Sequence, residues 1–274
     1  MTIYKKEESK HIIMSHYDDI LKRWPIPYKS HMVETRYGNT HILEMGDGDE
    51  LLVLLHGSTS NSSMWIGEVA DLSNYKIVAI DIPGEPNRST EERLDLDDES
   101  FSLWLDDCMK HYASPFHLVG NSLGGWIALK YAVTHPNKLR SLILLAPSGL
   151  APARISFVFK TLIYLTMGKR GIKQMTSLAM GTKEVPKEVC EVTEMMMSHF
   201  NPRMGSLPTF DDEALKKLSM PVLYMAGRKD QLLQTQKSAE RVKRLIPTND
   251  IRIMDRGHAL FDIGKELADY IESV

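Results

Sequence analysis

Leu51-Leu52-Val53-Leu54-Leu55 is apolar at every position, and this run constrains the fold more than any other feature of the chain. A strand with one face in water alternates apolar and polar residues, whereas a strand apolar throughout must be covered on both faces. Helices linking parallel strands supply such cover, and the rest of the sequence alternates accordingly. Lys76–Ile80, Phe116–Gly120, Leu139–Leu145, Pro221–Ala226 and Asp250–Met254 read as further strands. Phe101–Tyr112 and Leu123–Val133 read as helices, the second stopped before Pro136, and Ile263–Ile271 as a closing helix. Upstream, Ile12, Ile13, Tyr17, Ile20 and Leu21 fall at helical spacing and predict a helix over 9–23, ended before Pro25. Met32–Arg36 and His41–Met45 alternate around Gly38-Asn39, which predicts a hairpin turning at that dipeptide. The fold class is therefore α/β: a mostly parallel eight-stranded sheet with helices on both faces.

One stretch breaks the rhythm. Between Leu150 and Phe210 no buried strand is legible, but the sequence is helix-forming and rich in methionine: Met167, Met175, Met180, Met195, Met196, Met197 and Met204. It reads as a helical cap, 150–210, inserted after the sixth strand and resting on the carboxyl edge of the sheet. The core is then 1–149 with 211–274. Met195 and Met196 are candidates for an adaptable apolar substrate pocket, since thioethers fill irregular shapes. Ordinary packing of the cap on the core accounts for them at least as well.

Gly120-Asn121-Ser122-Leu123-Gly124 follows an apolar strand and opens a helix. G-x-S-x-G in that setting is a nucleophile elbow, a sharp turn that lifts a serine hydroxyl above the sheet. Side chains two positions to either side would strike neighbouring backbone, so glycine suits both. The helix start adds amide donors and a positive dipole end for a developing oxyanion. A Gly-rich turn that binds phosphate would end in Gly-Lys-Ser/Thr, which is absent.

A serine hydroxyl needs a base, and the base needs orienting. Two late strands deliver the partners: Val222–Ala226 runs out to Asp230, and Ile251–Met254 runs out to His258. Asp255 is the rival acid. It lies only three residues before His258 on the same loop and reads better as a surface charge. Leu55-His56-Gly57-Ser58 follows the all-apolar strand, and the Ser58 amide can join that of Leu123 as an oxyanion donor. His56 itself fits a structural role, hydrogen-bonding loop backbone.

Composition excludes several alternatives. The 274 residues carry a formal charge of −3 with scattered basic residues, which gives no footprint for nucleic acid. No apolar run of about 18 residues offers a membrane span. The polar first ten residues contain no signal core, so the expected location is the cytoplasm. Two distant cysteines, Cys108 and Cys190, argue against a disulfide scaffold or a cysteine-based metal site. No metal or organic cofactor is required, and oligomeric state is open.

The chain resembles the α/β-hydrolase superfamily, in its serine-nucleophile branch. The matching pieces are HGSTSNSSMW (56–65), DIPGEPNRS (81–89), GNSLGG (120–125), GRKD (227–230) and GH (257–258), in the family's order. It is most similar to bacterial carboxylesterases of the naproxen-esterase type, through LKRWPIPYKS (21–30), TRYGNTHILEMG (35–46) and the spacing of Asp81, Gly84, Asn87 and Ser89. The resemblance implies a helical cap, a Ser122–His258–Asp230 triad, Ser58 and Leu123 as oxyanion donors, and a small carboxylic ester as substrate. Serine rather than aspartate at the elbow disfavours dehalogenase and epoxide-hydrolase chemistry. Carbon–carbon, thioester or lactone hydrolysis on the same triad stays open, as does a ligand sensor with little turnover.

Overall fold

The computed structural model describes residues 2–112, 115–154, 156–157, 160, 163–164 and 166–274. Its centre is one eight-stranded sheet in the order β1-β2-β4-β3-β5-β6-β7-β8. The strands are β1 Tyr28–Thr35, β2 Gly38–Met45, β3 Leu51–Leu55, β4 Lys76–Ile80, β5 Phe116–Asn121, β6 Leu139–Leu145, β7 Val222–Gly227 and β8 Asn249–Met254. β2 runs antiparallel to β1 and β4, and every other pairing is parallel.

Among the described residues the helices include α1 Glu7–Leu21, α2 Ser100–Met109, α3 Leu123–Thr134, α4 Lys169–Met180, α5 Lys187–His199, α6 Asp212–Leu215, α7 Thr235–Leu245 and α8 Gly264–Glu272, with short 3-10 helices at Ser62–Gly67 and Pro136–Lys138. Strand side chains alternate between two cores, as the pleat requires. Val53, Leu55, Val78, Leu118, Leu144 and Tyr224 pack with residues of α2, α3 and α7. Leu52, Leu54, Ile77, Val119, Ile143 and Leu223 pack on the other face with α1 and α8. This explains why β3 had to be apolar throughout: all five of its residues are buried.

The hairpin departs from expectation. Thr35 pairs with Gly38, so the turn residues are Arg36 and Tyr37, and Gly38 opens β2 at φ 101° instead of sitting in the turn with Asn39. β1 is also longer than its pattern announced. It is an edge strand with mostly exposed, polar residues, the composition that keeps an open edge from pairing with other chains.

Between β6 and α6 the described residues include α4 and α5, which pack on each other, and α5 also lies against α1. Met196 is buried among Ile3, Tyr4, Ile13 and Phe200, with Met195 at the border of that cluster. The extended segment before α1 clasps the end of α5. The Lys5 amide donates to the His199 carbonyl at 2.9 Å and the Asn201 amide to the Ile3 carbonyl at 2.8 Å. Among the described residues no helix is long and apolar enough to cross a membrane.

Candidate active site

The sheet reverses direction of growth between β3 and β5: β4 lies outside β3, and the chain then crosses back to place β5 on its other side. Such a switch point opens a crevice at the carboxyl ends of the strands. Ser122 stands there, at the end of β5, with φ 50° and ψ −103°. A non-glycine residue in that region costs about 1–3 kcal/mol and persists only where its surroundings over-determine it. Here they do. The Ser122 amide donates to the Leu145 carbonyl at 2.9 Å, and the Trp126 and Ser148 amides donate to the Ser122 carbonyl at 3.0 and 3.2 Å. The flanking glycines permit the close approach. A Cβ on Gly120 would lie 2.3 Å from the Gly124 carbonyl oxygen, and one on Gly124 would lie 2.3 Å from that of Leu55.

β7 and β8 bring two more side chains to this point. His258 Nδ1 is 2.8 Å from Asp230 Oδ2, and its Nε2 is 3.0 Å from Ser122 Oγ. Asp230 is buried, and its Oδ1 accepts the Leu232 and Leu233 amides at 2.7 and 2.9 Å. Its Oδ2 is thereby turned to the imidazole. Facing a carboxylate, Nδ1 carries the ring proton, and the lone pair of Nε2 is left to accept the Ser122 hydroxyl. Asp255 stays at the surface, where the Lys229 ammonium donates to it at 2.9 Å. The last turn of α4 steadies the histidine loop: the Gly257 amide donates to the Met180 carbonyl at 3.2 Å and the Ala259 amide to that of Ala179 at 3.1 Å.

The loop after β3 lies against the serine, since a Cβ on Gly57 would come within 3.6 Å of Ser122 Cβ. His56 organises it from beneath. The Ile82 amide donates to Nε2 at 2.9 Å, so Nδ1 carries the proton and donates to the Gly57 carbonyl at 2.8 Å. Burial lowers its pKa and keeps the ring neutral. Among the described residues the amides of Ser58 and Leu123 donate to no group of the chain.

The burial and partners of three carboxylates around the site escaped sequence reasoning. Asp81 was legible as a strand end, but its partner His41, 40 residues away, was not. Asp81 Oδ1 accepts the Tyr17 hydroxyl at 3.2 Å and the Ser62 amide at 2.9 Å, and Oδ2 faces His41 Nδ1 at 2.8 Å. Burial opposes its ionisation, yet these donors and the nearby histidines hold its pKa below the usual carboxylate value. Glu68 and Glu85 run the other way. Burial pushes each up to about 7. Glu68 Oε1 accepts the Asp262 amide at 3.0 Å, bracing the loop that carries His258. Glu85 Oε2 accepts the Thr59 amide at 2.6 Å beside Ser58.

Met195 and Met196 meet the amino-terminal segment and α1, and packing there accounts for both. Cys108 and Cys190 are unpaired with each other, and among the described residues no cluster of His, Cys, Asp and Glu is suited to a metal ion.

A profile of the Alpha/beta hydrolase family matches residues 52–270. The chain belongs to that family. This hydrolase is 30% identical over 259 residues to carboxylesterase YbfK of Bacillus subtilis, covering 89% of this chain and 86% of that protein. The crystal structure of that carboxylesterase superposes with a TM-score of 0.80 over 97% of this chain and 96% of the other. An uncharacterized carboxylesterase of the same organism, nap, is 28% identical over 257 residues, covering 89% and 85%. Naproxen esterase from B. subtilis, 24% identical, shares the fold with a TM-score of 0.81 over 98% of this chain and 97% of that one. The resemblance read from segments 21–30, 35–46 and 81–89 is thus borne out, and the chain is a hydrolase of this group.

Proposed function

We propose that this hydrolase cleaves a small carboxylic ester through an acyl-enzyme on Ser122. The observation that carries the reading is the continuous path from Asp230 through His258 to the Ser122 hydroxyl, at 2.8 and 3.0 Å. Ser122 Oγ attacks the ester carbonyl carbon and passes its proton to His258 Nε2. The carbonyl oxygen takes up the negative charge, which the Ser58 and Leu123 amides receive. The bond to the alcohol then breaks, and the alcohol leaves with the proton from His258. Water repeats the sequence on the acyl-enzyme and frees the acid. Asp230 fixes the ring and stabilises the imidazolium. The carboxylesterase relatives at 28–30% identity favour esters over the other bonds this chemistry can break. Of the expected cap, 150–210, residues 155, 158–159, 161–162 and 165 lie outside the described residues; its described part, with α4 and α5, is read as the cap over the crevice.

The test is hydrolysis of short p-nitrophenyl esters beside a meta-cleavage dienoate, by the intact protein and by Ser122→Ala. Turnover of the esters, abolished in S122A together with labelling by a fluorophosphonate, is the expected result. Undiminished ester turnover in S122A would remove Ser122 from the mechanism. Turnover of the dienoate alone would move the substrate class to carbon–carbon bonds.

A further inference from the structure

Glu85 occupies a position that neither the fold nor the proton relay explains. It lies on the loop after β4, is 2% exposed, and reaches across to the loop after β3. There Oε2 accepts the Thr59 amide at 2.6 Å and faces Ser58 Oγ at 3.4 Å. Thr59 has φ 58°, the left-handed region that a β-branched residue avoids. The loop thus runs from Gly57, against Ser122, through Ser58 to a strained residue whose N–H is tied to one buried carboxyl.

The loop carrying Glu85 is itself held firmly. Asn61 Nδ2 donates to the Pro86 carbonyl at 3.1 Å, Asn87 Nδ2 to that of Ile82 at 2.7 Å, and the Asn87 amide to the Glu85 carbonyl at 2.8 Å. The Ser89 hydroxyl donates to the Asp81 carbonyl at 2.7 Å, and its oxygen accepts the His41 amide at 2.9 Å, fastening this loop to β2. A rigid base carrying a side chain to a strained partner is the arrangement expected of a brace. The amide of the residue before Thr59 must point at an atom that bears full charge only in the transition state, so its direction matters most there.

We propose that Glu85 is the positioning residue of the oxyanion loop: by accepting the Thr59 amide it holds Thr59 left-handed and so aims the Ser58 N–H at the carbonyl oxygen of an ester on Ser122. The proposal rests on the acyl-enzyme reading above. Besides Ser58 and Thr59, the groups acting on this carboxyl are the guanidiniums of Arg93 and Arg203, whose charges favour its ionised form against burial.

The experiment compares kcat and KM for a p-nitrophenyl ester in four proteins whose far-ultraviolet spectra match wild type: E85M, E85Q, T59G and E85M/T59G. Glu85→Met keeps the length of the side chain and removes the acceptor; Glu85→Gln keeps an acceptor. E85M should lose between about 10- and 100-fold in kcat, up to the roughly 100-fold cost of a misplaced group and short of the roughly 100- to 1000-fold cost of a missing oxyanion donor, with KM within about twofold. E85Q should stay within about threefold of wild type. Glycine at 59 takes the left-handed conformation without strain, so E85M/T59G should regain several-fold of the lost kcat, which a general packing defect would not. Wild-type kcat in E85M, a loss confined to KM, an E85Q as impaired as E85M, or no recovery in the double variant would each overturn the proposal. A measurement on the unaltered protein is independent of variant folding: with 15N-threonine labelling, the Thr59 amide should exchange slowly and shift as the Glu85 carboxyl titrates near 7. Fast exchange with no such change in resonance position would equally overturn it. S122A separates the two ideas, because ester turnover surviving in S122A refutes the acyl-enzyme reading, whereas failure of the Glu85 series with S122A inactive refutes only the brace.

Discussion

Glu68 links stability to pH in a way that can be measured. Its carboxyl has an ordinary value of 4.5 and is raised to about 7 by burial, with the charge of Asp262 pushing the same way. The folded-state value lies above the unfolded one, so its contribution is intact below pH 4.5 and is lost as pH rises through about 7. A tenfold change in proton affinity between the folded and unfolded chain is worth about 1.36 kcal/mol. Raising the carboxyl from 4.5 to about 7 therefore costs the folded state about 3 kcal/mol by pH 8. Glu68→Gln removes the titration and keeps an oxygen to accept the Asp262 amide. The new NH2 group sits where Oε2 has no partner among the described residues, which adds a penalty. That penalty does not vary with pH and cancels in the comparison. Urea unfolding of both proteins at pH 4.5 and pH 8 should show the variant gaining about 3 kcal/mol on wild type between the two conditions. Parallel curves across that interval would refute the reasoning and place Glu68 in a wetter setting than its 2% exposure implies.

Two further outcomes follow from the site. Asp230→Asn removes the carboxylate that keeps the proton on His258 Nδ1, and kcat should fall on the order of 10^4-fold with KM little changed; a loss under tenfold would show that Asp230 does not set the tautomer. Gly181→Ala places a Cβ 2.7 Å from Gly257 Cα at φ 68°, so the end of α4 must shift and its two bonds beside His258 weaken. The expected loss is about 10-fold or more in kcat with an unchanged far-ultraviolet spectrum, and kcat at the wild-type level would show that α4 does not steady the histidine loop.

Legibility of the sequence followed burial. β3, β5 and β6 lie in the middle of the sheet, bury nearly every residue and read as apolar runs to within a residue or so. β1 was foreshortened because its exposed edge is polar, and the hairpin turn was misplaced because Gly38 looked like a turn residue when its positive φ begins a strand. Ser122, Asp230 and His258 were legible because each follows a strand end, and strand ends are visible in one dimension. Tyr17, His41, Glu68 and Glu85 were not, because the contacts that make them matter span loops and helices with no fixed spacing. A buried carboxylate looks like any other acid in the sequence: Glu85 stood inside the matching segment 81–89, yet nothing there marked it as buried or as the partner of Thr59.

The clasp between residues 3–5 and 199–201 also governs the order in which the chain can be completed. Lys5 Nζ donates to the Met197 carbonyl at 2.6 Å, a contact across 192 positions. During synthesis the early segment is exposed first, and its partner emerges only after all the central strands, about 10–40 seconds later at ordinary elongation rates. Ile3, Tyr4 and Ile13 therefore stay solvated or transiently occupied until Met196 and Phe200 have emerged. This seam can close only once α5 has emerged, ahead of β7 and β8, and until then its apolar side chains are open to a chaperone or to a neighbour's α5.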